Sequence, residues 1–282
     1  ASRTDVGVHA AAQVVSFRVS LPDDFKVSEL DSLIEEYLPP NSPITLWKTT
    51  TFCSMFDAQR FAEGRRYHYL MPLHAFKEPT LQHFQYVREH YLSPFIGNKN
   101  YHNFTKRKDA SNKSAYRVIW EFSMSDPFDV NGEPYVLWTI HGQSFMMNQI
   151  RKMIATVVSL SHELITIEEL EHIFTLEKWC LPIFPGDGLF LDKVEYNGLV
   201  AKYRKSCPQW DFEFNECRPL IESWKKTVLY PAIAKVVNET DIFRKWVNNV
   251  LKEFPPHSNN DPRYESKEER KQRRMKDREQ DE

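Results

Sequence analysis

A predicted turn near the start of the sequence places an arginine, a threonine and an aspartate side by side, at Arg3, Thr4 and Asp5. Residues 2–10 read SRTDVGVHA, and Gly7 permits the positive φ that such a turn needs. An aspartate held there can be exposed at a cleft, and an exposed carboxylate is a candidate for covalent or hydrolytic chemistry. The same residues also form ordinary Asx-turns that only introduce a strand. Asp5 is therefore a candidate that needs support from the rest of the chain.

A second feature is the concentration of positive charge between residues 105 and 117. Five basic residues stand here against the single acid Asp109, a net charge of +4; they are Lys106, Arg107, Lys108, Lys113 and Arg117. The whole chain has a formal net charge of −2, so a nucleic-acid partner would need a local patch of this kind. The alternative interpretation is a solvated surface loop.

A third feature is an arginine beside the apolar face of a predicted helix. The helix is expected over residues 145–160, and its buried face is expected to consist of Met147, Ile150, Ile154 and Val157. Arg151 borders that face. A guanidinium in this position can pair with a buried carboxylate, or it can extend to solvent along its aliphatic stem.

Composition excludes several classes of protein. The 282 residues are 41% hydrophobic and 13% aromatic with only 8 glycines, which is typical of a packed globular protein rather than a fibrous or disordered chain. No apolar run is long enough to span a membrane. The four cysteines form no CxxC pair, and the ten histidines show no HxxxH spacing. We therefore expect no membrane span, no disulfide scaffold and no metal site.

The first 60 residues have a strand, helix, strand pattern. Apolar residues alternate with polar ones from residue 12 to 20, helical spacing follows from residue 30 to 37 with Ser28 as its cap, and residues 44–52 form a second strand pattern. This is the back half of a split βαβ unit. We therefore expect the front half upstream of Ala1, a chain that is a fragment, and no targeting segment before Arg3.

Residues 61–198 repeat the pattern in full. The predicted elements are a strand at 65–73, a helix at 81–91, strands at 117–124 and 135–142, a helix at 145–160 and a strand at 188–196. This β-α-β-β-α-β order predicts an antiparallel sheet with helices on one face. Thr166 and Glu169 have the spacing of a capping box, which indicates an additional helix over residues 166–176.

The remaining sequence divides into two parts. Residues 199–254 contain two helical segments, and the second carries a continuous apolar stripe: Ile242, Phe243, Trp246, Val247, Val250 and Leu251. Residues 255–282 are polar and highly charged, which is typical of a disordered tail. We therefore predict an α+β protein with two ferredoxin-like or RRM-like halves that share an antiparallel sheet with flanking helices. The first half, 1–60, is truncated, and a helical extension follows the second.

Several segments together resemble one known family. Residues 3–10, RTDVGVHA, resemble the catalytic loop of the TruA family of tRNA pseudouridine synthases, and further family landmarks follow in order. They are FDA at 56–58, RRYHY at 65–69, HNF at 102–104, GQSFMMNQIRKMI at 142–154 and GLFL at 188–191. The resemblance covers roughly residues 1–197, and the motif sequences are most similar to those of the eukaryotic synthase 1 and 2 branch.

This resemblance implies a role for individual residues. Asp5 would be the nucleophile that divides a difficult exchange into two steps, by attack on uracil C6 or on ribose C1′. Because burial alone favours a neutral acid, a cation must keep such a carboxylate ionised, and Arg151 matches the family's arginine. Tyr67 would stack on the uracil and take the C5 proton, with Tyr69 left as a core aromatic. Leu189 would line the pocket, although a core leucine would look the same.

The resemblance also implies a substrate and a setting. The reaction isomerises uridine in tRNA, expected in the anticodon stem-loop region and extending to other structured RNAs, and it needs no cofactor or metal. A stacked uridine must be extruded, and Arg3 is the candidate wedge or phosphate contact. Lys106, Arg107 and Lys108 would contact the tRNA backbone. We expect a monomer rather than a dimer, in the nucleus or the mitochondrion, with the nucleus favoured.

Two other functions compete with this one. A β-α-β-β-α-β half is also the pattern of an RNA-binding RRM without chemistry, but the sequence contains no RNP1-like motif. A hydrolase could use Asp5 together with a second carboxylate, but no paired Asp/Glu constellation accompanies it.

Overall fold

The computed structural model describes residues 2–5, 7–20, 22, 24–52, 55–198, 202, 214–253, 255–259 and 261. Its strands are β1 His9–Ala10, β2 Gly64–Pro72, β3 Gly97–Asn100, β4 Tyr116–Met124, β5 Phe128–Val130, β6 Glu133–Gly142, β7 Trp179–Cys180, β8 Leu189–Glu195 and β9 His257–Ser258. Its α-helices are α1 Leu30–Tyr37, α2 Leu81–Tyr86, α3 Gln149–Ser161, α4 Ile167–Ile173, α5 Arg218–Trp224, α6 Tyr230–Thr240 and α7 Ile242–Lys245. Turns of π-helix follow α2, α5 and α7, at Val87–Tyr91, Lys225–Leu229 and Trp246–Leu251.

One sheet organises the molecule. Its strand order is β1-β8-β2-β6-β4-β3, and β5 pairs with β6. All neighbours are antiparallel except β1 and β8, which are parallel. Each βαβ connection leaves another strand between its two parallel strands, because β6 lies between β2 and β4 while β2 lies between β6 and β8. This split arrangement is the one expected for β-α-β-β-α-β, so the predicted α+β fold class is confirmed.

The C-terminal helices pack on this sheet. The Phe243 ring meets Tyr69 edge-on with ring centroids 6.1 Å apart, and the Tyr230 ring lies 6.0 Å from Phe190. The Trp246 indole donates a hydrogen bond of 2.8 Å to the Ile183 carbonyl. The predicted apolar stripe is buried at Phe243, Trp246, Val247 and Leu251, whereas Val250 is half exposed. No helix within the described ranges is long and apolar enough to cross a membrane.

The two strands predicted in residues 12–20 and 44–52 are wrong. The nearest strand, His9–Ala10, ends before the first segment begins. Within that segment the side chains of Val15, Phe17 and Val19 are 73%, 65% and 56% exposed. Alternating polarity predicts a strand only where a neighbouring strand lies alongside, and the structure assigns no strand to residues 12–20 or 44–52. Ser28 is also not the cap of α1, because it lies inside a 3₁₀ turn and Glu29 precedes the helix.

The start of one helix differs from the sequence expectation for a local reason. Helix α3 begins at Gln149 rather than at residue 145, because Asn148 adopts a left-handed conformation with φ of 62°. Met147 therefore precedes the helix and is 65% exposed instead of contributing to the buried face.

The charged tail does not begin at residue 255. Strand β9 pairs with β7, and His257 is buried, so the chain is still packed at this point. The rest of the predicted tail, residues 262–282, lies outside the described residues, as do residues 199–201 and 203–213 of the predicted helical extension.

Candidate active site

A cavity of about 260 Å³ opens where four segments meet. These segments are the turn that carries Asp5, strand β2, the turn before α3, and the start of β8. Five of the sequence-predicted site residues line the cavity: Arg3, Asp5, Tyr67, Arg151 and Leu189. The three basic residues Lys106, Arg107 and Lys108 do not line it.

The turn that carries Asp5 is held by backbone contacts on both sides. The Val8 N–H donates to the Asp5 carbonyl at 3.1 Å, and Gly7 has a φ of 81°. Strand β1 then runs parallel to β8, and the Ala11 N–H donates to the Leu191 carbonyl at 2.7 Å. This short strand fixes the position of the turn, and Gly7 supplies the conformation that a side chain would disfavour.

Asp5 and Arg151 face each other across the cavity wall. The distance from Arg151 Nη1 to Asp5 Oδ2 is 3.7 Å, and the two side chains are 23% and 41% exposed. The Arg151 Nε–H donates to the Phe184 carbonyl at 2.6 Å, which orients the guanidinium. At 3.7 Å the two groups form an ion pair without a short hydrogen bond, so the carboxylate oxygens stay available to a ligand.

Tyr67 forms the wall on the other side of Asp5. Its hydroxyl lies 2.8 Å from Ser2 Oγ, and its ring packs edge-on against Phe145 with centroids 5.4 Å apart. Burial raises the pKa of Tyr67, and the negative charge of Asp5 acts in the same direction, while the Ser2 hydrogen bond and Arg65 lower it. The phenol is therefore neutral near pH 7, and it can accept a proton only if it passes its own proton on.

Tyr69 supports the site from behind. Its hydroxyl donates to the Pro185 carbonyl at 2.7 Å, and its ring lies 5.5 Å from Phe184. Because the Phe184 carbonyl orients Arg151, Tyr69 braces the segment that positions this cation. Leu189, which pairs with Tyr69 across strands β2 and β8, is 6% exposed and lines the cavity. Tyr69 is thus buried as expected, and its hydroxyl adds a positioning contact that the sequence did not predict.

Further residues line the cavity without having been predicted from the sequence as site residues. They are Ser2, Thr4, Val8, Gln59, Arg65, Ser144, Phe145, Met146, Met147, Asn148, Gln149 and Ile150. Arg65 donates through Nη1 to the carbonyls of Ala62 and Gln143 at 2.9 and 3.0 Å, so it ties two loops at the rim. Alternation along β2 places Arg65 on the same face as Tyr67, and that signal could have identified it.

The basic connection starts beside the cavity. The Thr105 hydroxyl donates to the Met147 carbonyl at 3.0 Å, and Lys106 and Arg107 are exposed immediately after it. Lys108 is hydrogen-bonded to the Ser114 hydroxyl. The structure therefore brings the basic loop to the lip of the cavity without contact to Asp5.

A buried lysine lies beneath this lip. Lys152 donates through Nζ to the Asn103 carbonyl at 2.9 Å, and burial lowers its pKa to about 8. It follows Arg151 on α3, so one helix turn is tied both to the cavity and to the start of the basic loop. In the part of the chain that the structure describes, no three His, Cys, Asp or Glu side chains are grouped in a way that could hold a metal ion.

Known proteins resemble much of this chain. Residues 92–197 match the family model described as tRNA pseudouridine synthase. The chain is 30% identical over 259 residues to the Pseudouridylate synthase 1 homolog of Mus musculus, covering 88% of this chain and 60% of that protein. The Homo sapiens homolog is also 30% identical, with 88% and 59% covered.

A fungal relative extends the comparison. The tRNA pseudouridine synthase 1 of Eremothecium gossypii is 23% identical over 342 residues, covering 89% of this chain and 63% of that protein. The chain thus spans about 60% of the length of these relatives. On these matches the chain is similar to the TruA family of tRNA pseudouridine synthases, and the relatives named here belong to its eukaryotic synthase 1 branch.

Proposed function

We propose that this protein converts uridine in tRNA to pseudouridine, with Asp5 as the nucleophile. One observation carries the proposal: the Asp5 carboxylate, with its oxygens open to the cavity, lies 3.7 Å from the Arg151 guanidinium. Tyr67 and Leu189 line the same cavity. A carboxylate, a cation and an aromatic wall are the groups that the isomerisation of a nucleobase requires.

The reaction breaks one bond and forms another between the same two rings. The Asp5 carboxylate attacks uracil C6 or ribose C1′, the bond from N1 to C1′ breaks, and the uracil turns within the cavity. A bond from C5 to C1′ then forms, C5 loses its proton, N1 gains one, and the carboxylate is released. The net change is an isomerisation, so no oxidant, reductant or second substrate is needed.

Arg151 and Tyr67 serve this reaction in different ways. The Arg151 guanidinium lies 3.7 Å from the Asp5 carboxylate and is held in place by the Phe184 carbonyl. The Tyr67 ring offers a face for the uracil. Its hydroxyl, which is hydrogen-bonded to Ser2, takes the C5 proton while its own proton is relayed to water, directly or through the Ser2 hydroxyl, which releases its own proton in turn.

The surfaces around the cavity bind the RNA. Lys106 and Arg107 are exposed beside the lip and contact the tRNA backbone, with Lys108 placed by its bond to Ser114. Arg3 lines the rim and serves as the wedge or the phosphate contact when the uridine leaves its stack. The expected targets lie in the anticodon stem-loop region and in other structured RNAs. The expected state is a monomer in the nucleus or the mitochondrion, with the nucleus favoured.

The test measures turnover on tRNA labelled with tritium at uridine C5. Because C5 loses its proton only when the bond to C1′ forms, tritium released to water reports pseudouridine formation without added cofactor. We expect release from tRNA transcripts and none from free uridine. Tight tRNA binding without any tritium release would refute the proposed function and would instead support an RNA-binding module without catalytic activity.

A further inference from the structure

Asn148 combines an unusual backbone conformation with a place in the cavity wall. Its φ of 62° and ψ of 4° lie in the left-handed region, and it lines the same cavity as Asp5 and Tyr67. Residues other than glycine adopt this conformation rarely, although asparagine tolerates it better than most. Strained conformations of this kind are frequent at ligand-binding positions.

The backbone around Asn148 is held from three directions. The Met146 N–H donates to Gln149 Oε1 at 2.9 Å, and the Gln149 N–H donates back to the Met146 carbonyl at 3.0 Å. The Thr105 hydroxyl donates to the Met147 carbonyl at 3.0 Å. These bonds fix the turn, so the asparagine side chain leaves it from a defined position.

Three amide side chains line the cavity, and Asn148 is the one that is both partly buried and without a side-chain hydrogen bond in the described ranges. Gln149 is fully buried, and its Oε1 accepts from the Met146 N–H. Gln59 lies on the exposed rim. Asn148 is half buried, makes no capping bond to α3, and has no side-chain hydrogen bond in the described ranges. A half-buried amide without a partner in a cavity is available to a ligand.

The chemistry of uracil fits an amide particularly well. The edge of the base presents O2, N3–H and O4, and an amide can accept from N3–H while it donates to one of the flanking carbonyls. A half-turn of uracil about the line from N3 to C6 exchanges N1 with C5 and O2 with O4. The edge therefore presents the same groups before and after the turn, so one amide can hold the base in both orientations.

We propose that the Asn148 amide binds the N3–H and carbonyl edge of the target uracil and holds the base in both orientations of the reaction. This inference rests on the proposed function, because it assigns a base contact within that cavity. It makes Asn148 a substrate-binding residue in addition to Asp5, Arg151 and Tyr67.

The experiment replaces the amide without disturbing the turn. Asn148→Gly keeps the left-handed backbone, because glycine adopts positive φ readily, and removes only the side chain. We expect kcat/KM for a uridine target to fall roughly 10- to 100-fold with unchanged thermal unfolding, as for loss of a two-bond base contact. With 3-methyluridine at the target, which lacks the N3–H, parent and variant should bind the RNA equally. The preference for uridine over 3-methyluridine should therefore shrink in the variant.

A matched control uses the same substitution elsewhere. Asn131 is exposed, has a φ of 55°, and lies in the turn between β5 and β6. Asn131→Gly should leave both activity and base preference unchanged. If Asn148→Gly keeps the activity and preference of the parent, the asparagine serves only the backbone conformation and the inference is wrong. A parent protein with no turnover would overturn the proposed function, and this inference with it.

Discussion

Two aspartates of this molecule pair with cations, one by short bonds in the buried core and the other at a longer distance beside the cavity. Asp192, on β8, is fully buried and bonds Lys225 Nζ at 2.7 Å and Arg218 Nη2 at 3.0 Å. Asp5, in the turn before β1, faces Arg151 at 3.7 Å with 41% of its side chain exposed. Strands β1 and β8 are neighbours in the sheet, so the two carboxylates belong to the same structural frame.

The buried aspartate is saturated by its partners. Burial opposes the ionisation of Asp192, yet neighbouring positive charge lowers its pKa to about 2. His68 lies 3.7 Å away, but burial lowers the pKa of His68 to about 4, so this ring is neutral near pH 7. Lys225 and Arg218 are therefore the cations that hold the carboxylate ionised. They join the C-terminal helices to the sheet.

The comparison separates a structural carboxylate from one that is available for chemistry. Both carboxylate oxygens of Asp192 bond a cation, and the side chain is closed to solvent, so a ligand cannot reach it. Asp5 keeps its charge partner at a longer distance and its oxygens open. A nucleophile needs this looser arrangement, because a lone pair engaged in short hydrogen bonds cannot attack a substrate.

Breaking the buried pair should give the largest effect on stability. Lys225→Met leaves the buried Asp192 carboxylate without its shortest bond, which should lower the free energy of unfolding by about 3 to 5 kcal/mol. The neighbouring Lys226 is exposed, so Lys226→Met should change it by less than about 0.5 kcal/mol. Urea unfolding of both variants and the parent measures the difference. Equal stability of the two variants would show that the buried cluster does not hold the helices to the sheet.

Breaking the open pair should affect turnover instead of stability. Arg151→Leu removes the cation that faces Asp5, and we expect kcat to fall by about 100-fold or more. Arg151→Lys keeps a positive charge but loses the guanidinium that bonds the Phe184 carbonyl, so kcat should fall less than in Arg151→Leu. Both variants should unfold within about 1 kcal/mol of the parent. Parent-like turnover in both would mean that Arg151 is only a surface residue.

Acid should weaken the buried cluster in two stages. Below pH 6.5 the unfolded chain protonates His68, whereas the folded chain does not until about pH 4, so stability falls through this range. Between the ordinary value of 3.8 and about 2, protonation of Asp192 in the unfolded chain removes a further contribution of about 2 kcal/mol. Asp192→Asn should remove the second stage, and it should also lower the pKa of His68 in the folded chain, because the Asp192 charge raises that pKa. A variant with the parent's full pH dependence below pH 4 would contradict this assignment.

Substitutions in the basic loop beside the cavity should give the smallest effect, and they should change only tRNA binding. Replacing the exposed pair Lys106 and Arg107 by alanine should reduce the slope of log affinity against log salt by about 1 to 2, because each phosphate contact releases counterions. Site choice should not change, since phosphate contacts do not read bases. Alanine at Lys226 and Lys235, on the C-terminal helices, is the control. An unchanged slope would direct the search for the RNA-binding face to Arg65 and its neighbours.

Sequence patterns correctly predicted the strands and helices whose formation depends mainly on residues close together in the chain. Strand β2 and helix α4 appear as expected, because alternation and the Thr166 and Glu169 capping box act within a few residues. The segment containing Val15 failed because a strand also needs a neighbour. Helical spacing continued through Met147 because polarity alone does not reveal the left-handed Asn148.

The two carboxylate sites show the same limit. Lys225 is 33 residues from Asp192, and nothing in the local sequence of either residue marks their contact. Asp5, Tyr67 and Arg151 are equally dispersed, and only their joint resemblance to a family suggested that they meet. The structure brings them to one cavity. Asn148 was missed because its place at the cavity depends on the conformation of the turn before α3, whereas alternation along β2 could have identified Arg65.

The most direct test of the central claim is turnover by Asp5→Asn, measured as tritium release from C5-labelled tRNA together with tRNA affinity and thermal unfolding. Asparagine keeps the size of the side chain and removes the nucleophilic charge. We predict that release falls to background while affinity stays within about twofold of the parent and the unfolding temperature does not change. Turnover clearly above background in this variant, with parent-like binding, would contradict the assignment of Asp5 as the nucleophile.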